Sequence, residues 1–409
     1  MNAPLLPQEI LDIIVDCLHD DLPSCTALSL THRTLRDAAY THIFENITID
    51  RPHNGTEHCS STAVARKFRR FAAISPGIAK YVNEIVLRSG PAFNRTAERG
   101  YGWMYDEPQL PQVLLSLTNL RTILIESHDL YEDDLLKWDR MPAELQSAFA
   151  RVVKFPRLHT ITFIGCEGYP ISLFSVMPSL RSLNVYHSRA KFDQTCVPTG
   201  RASVNELSLL MFLPYLQDHL RWITGPRSPI DTSRLTQLSL TPFLTMSRQT
   251  FPVSSFHCGV DELLKASPNL EQLSFTPLDQ DPHIIHLTQN SRLRSVEFNM
   301  NTRFLGRESV RSDFVLWVAM VLDTIPSSAP IEDILLLGES EEVSISDAAK
   351  YLGCAWYEFD EAAMRECWHG TLKRVSISFE GVWGSLRALE KGLDIPKLRD
   401  SGILEIGLN

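Results

Sequence analysis

Nothing in these 409 residues is apolar for long enough to cross a membrane. The longest such run, Phe314 to Leu322, is closed by Asp313 and Asp323, and a span needs about 20 residues. No basic stretch followed by an apolar core opens the chain, so no signal peptide is expected. Positive charge is scarce: 39 Lys and Arg stand against 49 Asp and Glu, a net charge of −10, which argues against nucleic acid as the main partner. The eight cysteines form no C-x-x-C and no regular spacing; a reducing compartment, cytoplasm or nucleus, is the simpler setting. A G-x-S-x-G elbow and the glycine-rich phosphate cradles are absent. His257-Cys258, read as loop, and His283-x-x-His286, near a strand lead-in, come without the further ligands that zinc requires. The expectation is no catalytic residue, no metal, no cofactor and no membrane contact. What remains is an ordinary globular composition, 44% apolar, long enough for two or three domains.

The first fifty residues stand apart, with eight acidic residues against two basic. Pro7 sits where a helix accepts proline, at its first turn, and Glu9 follows at the positive end of the helix dipole. Ile10, Ile13, Ile14, Cys17 and Leu18 then recur at helical spacing as one apolar stripe. Pro23 opens a second short helix carrying Ala27, Leu28 and Leu30. A third, about Arg33 to Phe44, places Leu35, Ala38, Ala39, His42 and Ile43 on one side. Three helices in so few residues bury little by themselves, and such a unit calls for a partner surface. As half of a helix-turn-helix it is unconvincing: Arg33 and Arg36, with Asp37 beside them, are too weak a positive face for DNA.

The residues Leu6-Pro7-Gln8-Glu9-Ile10 through Leu18, then Leu28-Ser29-Leu30-Thr31-His32-Arg33, then Ile43-Phe44 through Ile49, resemble an F-box of the large fungal F-box group. That resemblance implies three packed helices over residues 1–50, docked on a Skp-type adaptor and through it on a cullin. By motif position Leu6, Pro7, Ile10, Ile14, Leu18, Leu28 and Leu35 would line the contact. Leu35 stands where members of the family often have Trp.

After a polar linker at 51–62, the remainder, 63–409, repeats irregularly. A leucine is followed by apolar residues at +3 and +5: Leu120, Ile123, Ile125; Leu158, Ile161, Phe163; Leu180, Leu183, Val185; Leu235, Leu238, Leu240; Leu270, Leu273, Phe275; Leu293, Val296, Phe298; Leu372, Val375, Ile377. Weaker copies start at Phe44, Val82, Val204 and Ile331. The pattern gains weight from its lead-in, as in Phe155-Pro156-Arg157, Met177-Pro178-Ser179, Ser267-Pro268-Asn269 and Leu117-Thr118-Asn119. Positions +3 and +5 share one face of a strand, with the first leucine tucked in from the preceding turn. Amphipathic helices precede several strands, among them Val64, Phe68, Phe71 and Ala72, and a second beginning with Val260, Leu263 and Leu264. Strand-plus-helix units that bury their core only against neighbours are the logic of a leucine-rich-repeat-like solenoid, an α/β fold with a curved parallel sheet. The fungal F-box group is similar in carrying degenerate repeats after its F-box. An all-helical solenoid is the rival, disfavoured by the Val, Ile, Thr and Phe that crowd the alternating segments.

Function in such an array belongs to the side chains at +2, +4 and +6, which point away from the core. Small hydroxyls and amides predominate there, a surface able to hydrogen-bond a protein ligand without strong charge preference. Glu126, Asn184, Tyr186, Gln237, Gln272, Glu297, Asn299 and Arg374 are the candidate target-binding residues. Residues 88–112 form a long segment whose Trp103, Met104 and Tyr105 either touch a partner or fold back on the core. Segments 186–203 and 300–312 are polar insertions. The acidic Glu339, Glu341 and Glu342 and the basic Arg66, Lys67, Arg69 and Arg70 read as solvated faces. The expected protein is the target-recognition subunit of a Skp–cullin–F-box ubiquitin ligase, with an unidentified target protein; a binding scaffold without ubiquitin transfer is the alternative.

Overall fold

The structure is a computed structural model that describes residues 6–49, 77–89, 103–127, 135–192, 198, 200–243, 253–277, 283–301, 314–339, 355–380 and 393–408. The expected linker at 51–62, the helix stripe of Val64, Phe68, Phe71 and Ala72, the basic stretch 66–70 and Glu341 and Glu342 lie outside the described residues. The chain divides into two compact units, Met1–Ala202 and Ser203–Asn409.

The first unit opens with helices α1 (Gln8–Asp16), α2 (Leu22–Thr31) and α3 (Arg33–Ile43). Pro7 sits at the cap position, just before α1. Asp21 caps α2, accepting from the Ser24 backbone N–H at 3.2 Å and from its hydroxyl, and these bonds hold its carboxyl below the usual carboxylate range. Strands β1 (Asn46–Ile49), β2 (Glu84–Arg88), β3 (Thr122–Glu126), β4 (Thr160–Ile164) and β5 (Ser182–Tyr186) follow. They pair in sequence order, all parallel, with Glu84 opposite Asn46 and Thr122, and Thr160 opposite Thr122 and Ser182. The weak copy at Phe44 is therefore the first strand of the sheet, so the array begins directly after α3. Helices α4 (Leu110–Ser116) and α5 (Ala143–Val152) lie in the connections, as parallel pairing requires a long crossover.

In the second unit the sheet is β6 (Glu206–Phe212), β7 (Gln237–Phe243), β8 (Gln272–Phe275), β9 (Ser295–Asn301), β10 (Asp333–Glu339), β11 (Arg374–Glu380) and β12 (Leu404–Leu408), again parallel and in order. Helices α6 (Leu213–Thr224), α7 (Val253–Lys265), α8 (Phe314–Thr324), α9 (Trp356–Ala363) and α10 (Pro396–Ser401) accompany the strands. Each unit is thus an irregular leucine-rich-repeat-like array of strands and helices, and the all-helical alternative is excluded.

The periodicity has a direct physical counterpart. Leu120, Leu158, Leu180, Leu235, Leu270 and Leu293 are fully buried, as are the weaker starts Val82, Val204 and Ile331. The residue before the leucine fastens neighbouring repeats: Asn119 donates to the Lys80 carbonyl at 2.6 Å, Ser179 to that of Pro156 at 2.8 Å, and Asn269 to that of Ser233 at 2.7 Å. Helix side chains then close the core. Phe256 of α7 stacks on Phe275, and Trp317 of α8 packs on both Phe275 and Phe298. Asp360, fully buried in α9, accepts the backbone N–H groups of Lys397 and Leu398, each at 2.8 Å, and so seats α10 against the array.

The structure decides one open alternative and corrects other expectations. Within the segment 88–112, of which 90–102 lie outside the described residues, Trp103 and Met104 lie in the core, where the Trp103 ring nitrogen donates to the Arg88 carbonyl at 2.7 Å, and the Tyr105 hydroxyl donates to that of Lys137; of the two alternatives, folding back is the outcome for these three. His257-Cys258 is helical, within α7, because Val260, Leu263 and Leu264 carry that helix's buried face. The polar insertion 186–203 contains a strand, Arg189–Lys191, which pairs with Cys166–Pro170, itself paired on its other edge with Leu136–Lys137, in a small parallel sheet of three strands. Gly165 and His187, both with positive φ, turn the chain from β4 and β5 into that ladder.

One buried group makes stability depend on pH. His219 of α6 is buried, with Nδ1 2.7 Å from the Tyr215 carbonyl. Burial penalises the imidazolium and brings the pKa from 6.5 to about 4. Between these values the unfolded chain binds a proton that the folded chain does not, so stability falls as pH drops from 6.5 towards 4, by about 3 kcal/mol in all. His219→Leu is expected to remove that component of the slope, read from urea midpoints between pH 4 and 7; an unchanged slope would contradict the assignment.

Candidate functional site

Two surfaces carry the sequence-predicted residues, one on the helices and one on the sheets. The helical trio has a small core: Val15, Cys25 and Ala39 are fully buried, and Leu18, Leu28, Leu35, Ala38 and Ile43 pack half-buried around them. Side-chain bonds fix α1 on α3 at both ends. Gln8 donates to Asp12 at 2.7 Å and to the Thr34 carbonyl at 3.0 Å, and His42 Nε2 lies 2.8 Å from Asp16 Oδ1. With α1 held in this rotation, Val15 points inward. Ile10 is left 42% exposed, Ile13 56% and Ile14 44%, and Leu6, Leu22 and Leu30 are exposed as well. Of the seven residues assigned by motif position, Leu6, Pro7, Ile10 and Ile14 lie at the surface, whereas Leu18, Leu28 and Leu35 pack on the trio's own core. Exposed isoleucines four residues apart on one helix are what a soluble chain normally avoids unless a surface is to be covered.

The trio is fastened to the repeats. Tyr81, just before β2, donates its hydroxyl to Asp37 of α3, and its ring meets Tyr40 edge-on at 5.8 Å. Lys80 reaches over the same ring at 4.5 Å from its centre. Burial, then the bond to Asp37, raises the Tyr81 pKa.

On the sheets the alternation holds for most strands: residues at +3 and +5 are buried, save the half-buried Ile47 and Ile49 of β1 and Leu404 and Ile406 of β12, and most of those at +2, +4 and +6 face outward. Val86, Thr162, Ser182, Thr276 and Ser378 are exceptions, buried at outward positions by their neighbours. The eight candidate residues fall into two sets. In the first unit, Glu126 accepts from Arg88 at 2.7 Å across β2 and β3, Asn184 donates to Thr162 at 3.2 Å, and Tyr186 lies opposite Ile164. In the second, Gln237 and Gln272 are register partners. Glu297 Oε1 accepts from the Ser274 hydroxyl and the Asn299 amide, each at 2.8 Å. Arg374 is engaged by Asp333 at 3.0 Å. Just beyond this face, Glu332 accepts from Arg294 at 2.6 Å and pairs with Lys373, and these two cations lower its pKa.

No family model matches the chain, and no curated protein matches it. Among solved structures it is similar to a protein from Bacteroides fragilis, at 11% identity over 85% of this chain and 82% of that one with a TM-score of 0.37. An internalin from Listeria monocytogenes is similar at 8% identity over 95% and 94%, with a TM-score of 0.32.

Among the described residues no three His, Cys, Asp or Glu side chains are placed to hold a metal ion, and no helix is long and apolar enough to cross a membrane. The histidines singled out in the sequence do meet. The rings of His257 and His283 stack at 4.7 Å, while Asp261 takes His283 Nε2 at 3.2 Å and the His286 backbone N–H at 3.2 Å. Both carboxylate oxygens thereby hold the 283–287 segment on α7.

Proposed function

We propose that this chain is the target-recognition subunit of a Skp–cullin–F-box ubiquitin ligase, with the helical trio binding the Skp-type adaptor and the arrays binding a target protein. The observation that carries the reading is the exposed stripe of Leu6, Ile10, Ile13 and Ile14 on a unit whose own core is three small or medium side chains. Its residues coincide with the F-box-like motif, and burying them on a partner stabilises by about 25 cal/mol per Å² of apolar surface. The Asp37–Tyr81–Lys80 cluster supports the same reading, because a recruiter acts by holding its target at a fixed place and needs no bond chemistry of its own. Cytoplasm or nucleus is the setting that goes with such a complex.

The test is co-expression with a Skp-type adaptor, followed by a reconstituted ligase with the cullin. The expected result is a one-to-one complex on size exclusion and ubiquitin transfer to proteins captured by the chain. A chain that elutes alone beside excess adaptor overturns the reading; capture without transfer leaves the scaffold alternative.

A further inference from the structure

The paired strands of the second unit bring its outward residues into rows. One row runs Ser208, Ser239, Ser274, Glu297, Leu335, Ser376 and Glu405, one residue from each of β6 to β12. The charge on this face is one-sided. Among the residues whose side chains are described, Glu206, Glu297, Asp333 and Glu405 are its carboxylates and Arg374, engaged by Asp333, is its one cation; Glu339 and Glu380 also occupy outward register positions, on β10 and β11. Glu297 is held in place from one side: both of its donors among the described residues reach Oε1 and none reaches Oε2. Glu405 is exposed. Between the two carboxylates, beside Ser376, stands Leu335, with Leu337 next to it on the same strand and both half-buried.

We propose that this row binds an extended segment of the target protein that carries two cationic side chains flanking an aliphatic one. The spacing sets the pattern. Glu297 and Glu405 are three strands apart, about 14 Å at the usual strand separation. An extended chain covers that distance in about four residues, and residues i, i+2 and i+4 share one of its faces. A Lys or Arg at i and at i+4 therefore reaches both carboxylates, while an apolar residue at i+2 comes down beside Leu335. An acidic segment meets uncompensated like charge along the same row. The inference rests on the target-binding role proposed above and narrows it to a basic, extended class of segment.

The test uses the full-length chain and two fluorescein-labelled synthetic peptides of identical composition, read by anisotropy at low salt. One has Lys at i, Leu at i+2 and Lys at i+4; the other has Lys at i and i+3, which lie on opposite faces. The first is expected to bind more tightly than the second and to lose affinity with added salt. Glu297→Gln, which keeps an acceptor for Ser274 and Asn299, and Glu405→Gln are each expected to weaken it by roughly three- to tenfold, while Glu144→Gln, at an exposed position of α5 in the first unit, leaves it unchanged. Equal binding of the two peptides, or no effect of Glu297→Gln, overturns the proposal. Adaptor capture is measured on the same samples: a chain that holds the adaptor but ignores the patterned peptide refutes this inference alone, and one that binds the peptide but not the adaptor refutes only the ligase reading.

Discussion

Ile10→Asp and Ile14→Asp are each expected to weaken capture of the Skp-type adaptor by at least about thirtyfold, the loss typical of a central apolar anchor, while the chain stays folded. Both side chains face solvent in the free chain, so a carboxylate there meets water until a partner arrives. On binding, that charge has to be desolvated without a counterpart, which costs far more than the apolar contact it replaces. Val15→Asp is the informative contrast. Val15 is fully buried against Cys25 and Ala39, so a charge at this position unravels the trio and loses the adaptor through unfolding. Hydrogen exchange over residues 8–43 separates the cases: protection is retained in the first two variants and lost in the third. Full adaptor capture by the double variant Ile10→Asp/Ile14→Asp would remove the basis of the ligase reading.

Trp317→Ala is expected to have the largest effect on stability, about 3–5 kcal/mol. The indole of α8 touches Phe275 and Phe298 from two successive strands and Phe314 from its own helix, and its N–H donates to the His283 carbonyl at 2.9 Å. Truncation therefore opens a cavity between helix and sheet and leaves a carbonyl without its donor. In an array built from nearest-neighbour contacts, a lesion in one repeat uncouples the repeats on either side. Calorimetry should show the transition of the second unit lowered by roughly 6–20 °C, with adaptor capture at the other end of the chain unaffected. A shift of only a degree or two would mean that the indole is not the keystone of this layer.

The strands were legible wherever an apolar lead residue precedes the +3 and +5 pair, because that residue has one destination, the turn under the sheet. The last strand, Leu404–Leu408, escaped for the same reason. Register places Leu404 and Ile406 at +3 and +5, and the lead position falls on Ser401. The rotation of α1 was not legible. Ile10, Leu11, Ile13, Ile14, Val15, Cys17 and Leu18 surround most of that helix with apolar surface, and periodicity alone does not tell which side the chain keeps for itself. The bonds from Gln8 and Asp16 to α3 settle it, from residues 26 positions away.

Charge on the outward face followed the same division. Read along the chain, Glu297 and Arg374 look like equal and opposite members of a neutral surface. Folded, Arg374 is spoken for by Asp333 on the adjacent strand, and Glu297 shares a row with Glu405. The local sequence decides which residues turn inward, since alternation and a tucked leucine are properties of a single strand. Which outward residues stand side by side, and which charges remain without a partner, depends on pairing between strands up to 41 residues apart. That is a long-range outcome of packing, and no window of the sequence contains it.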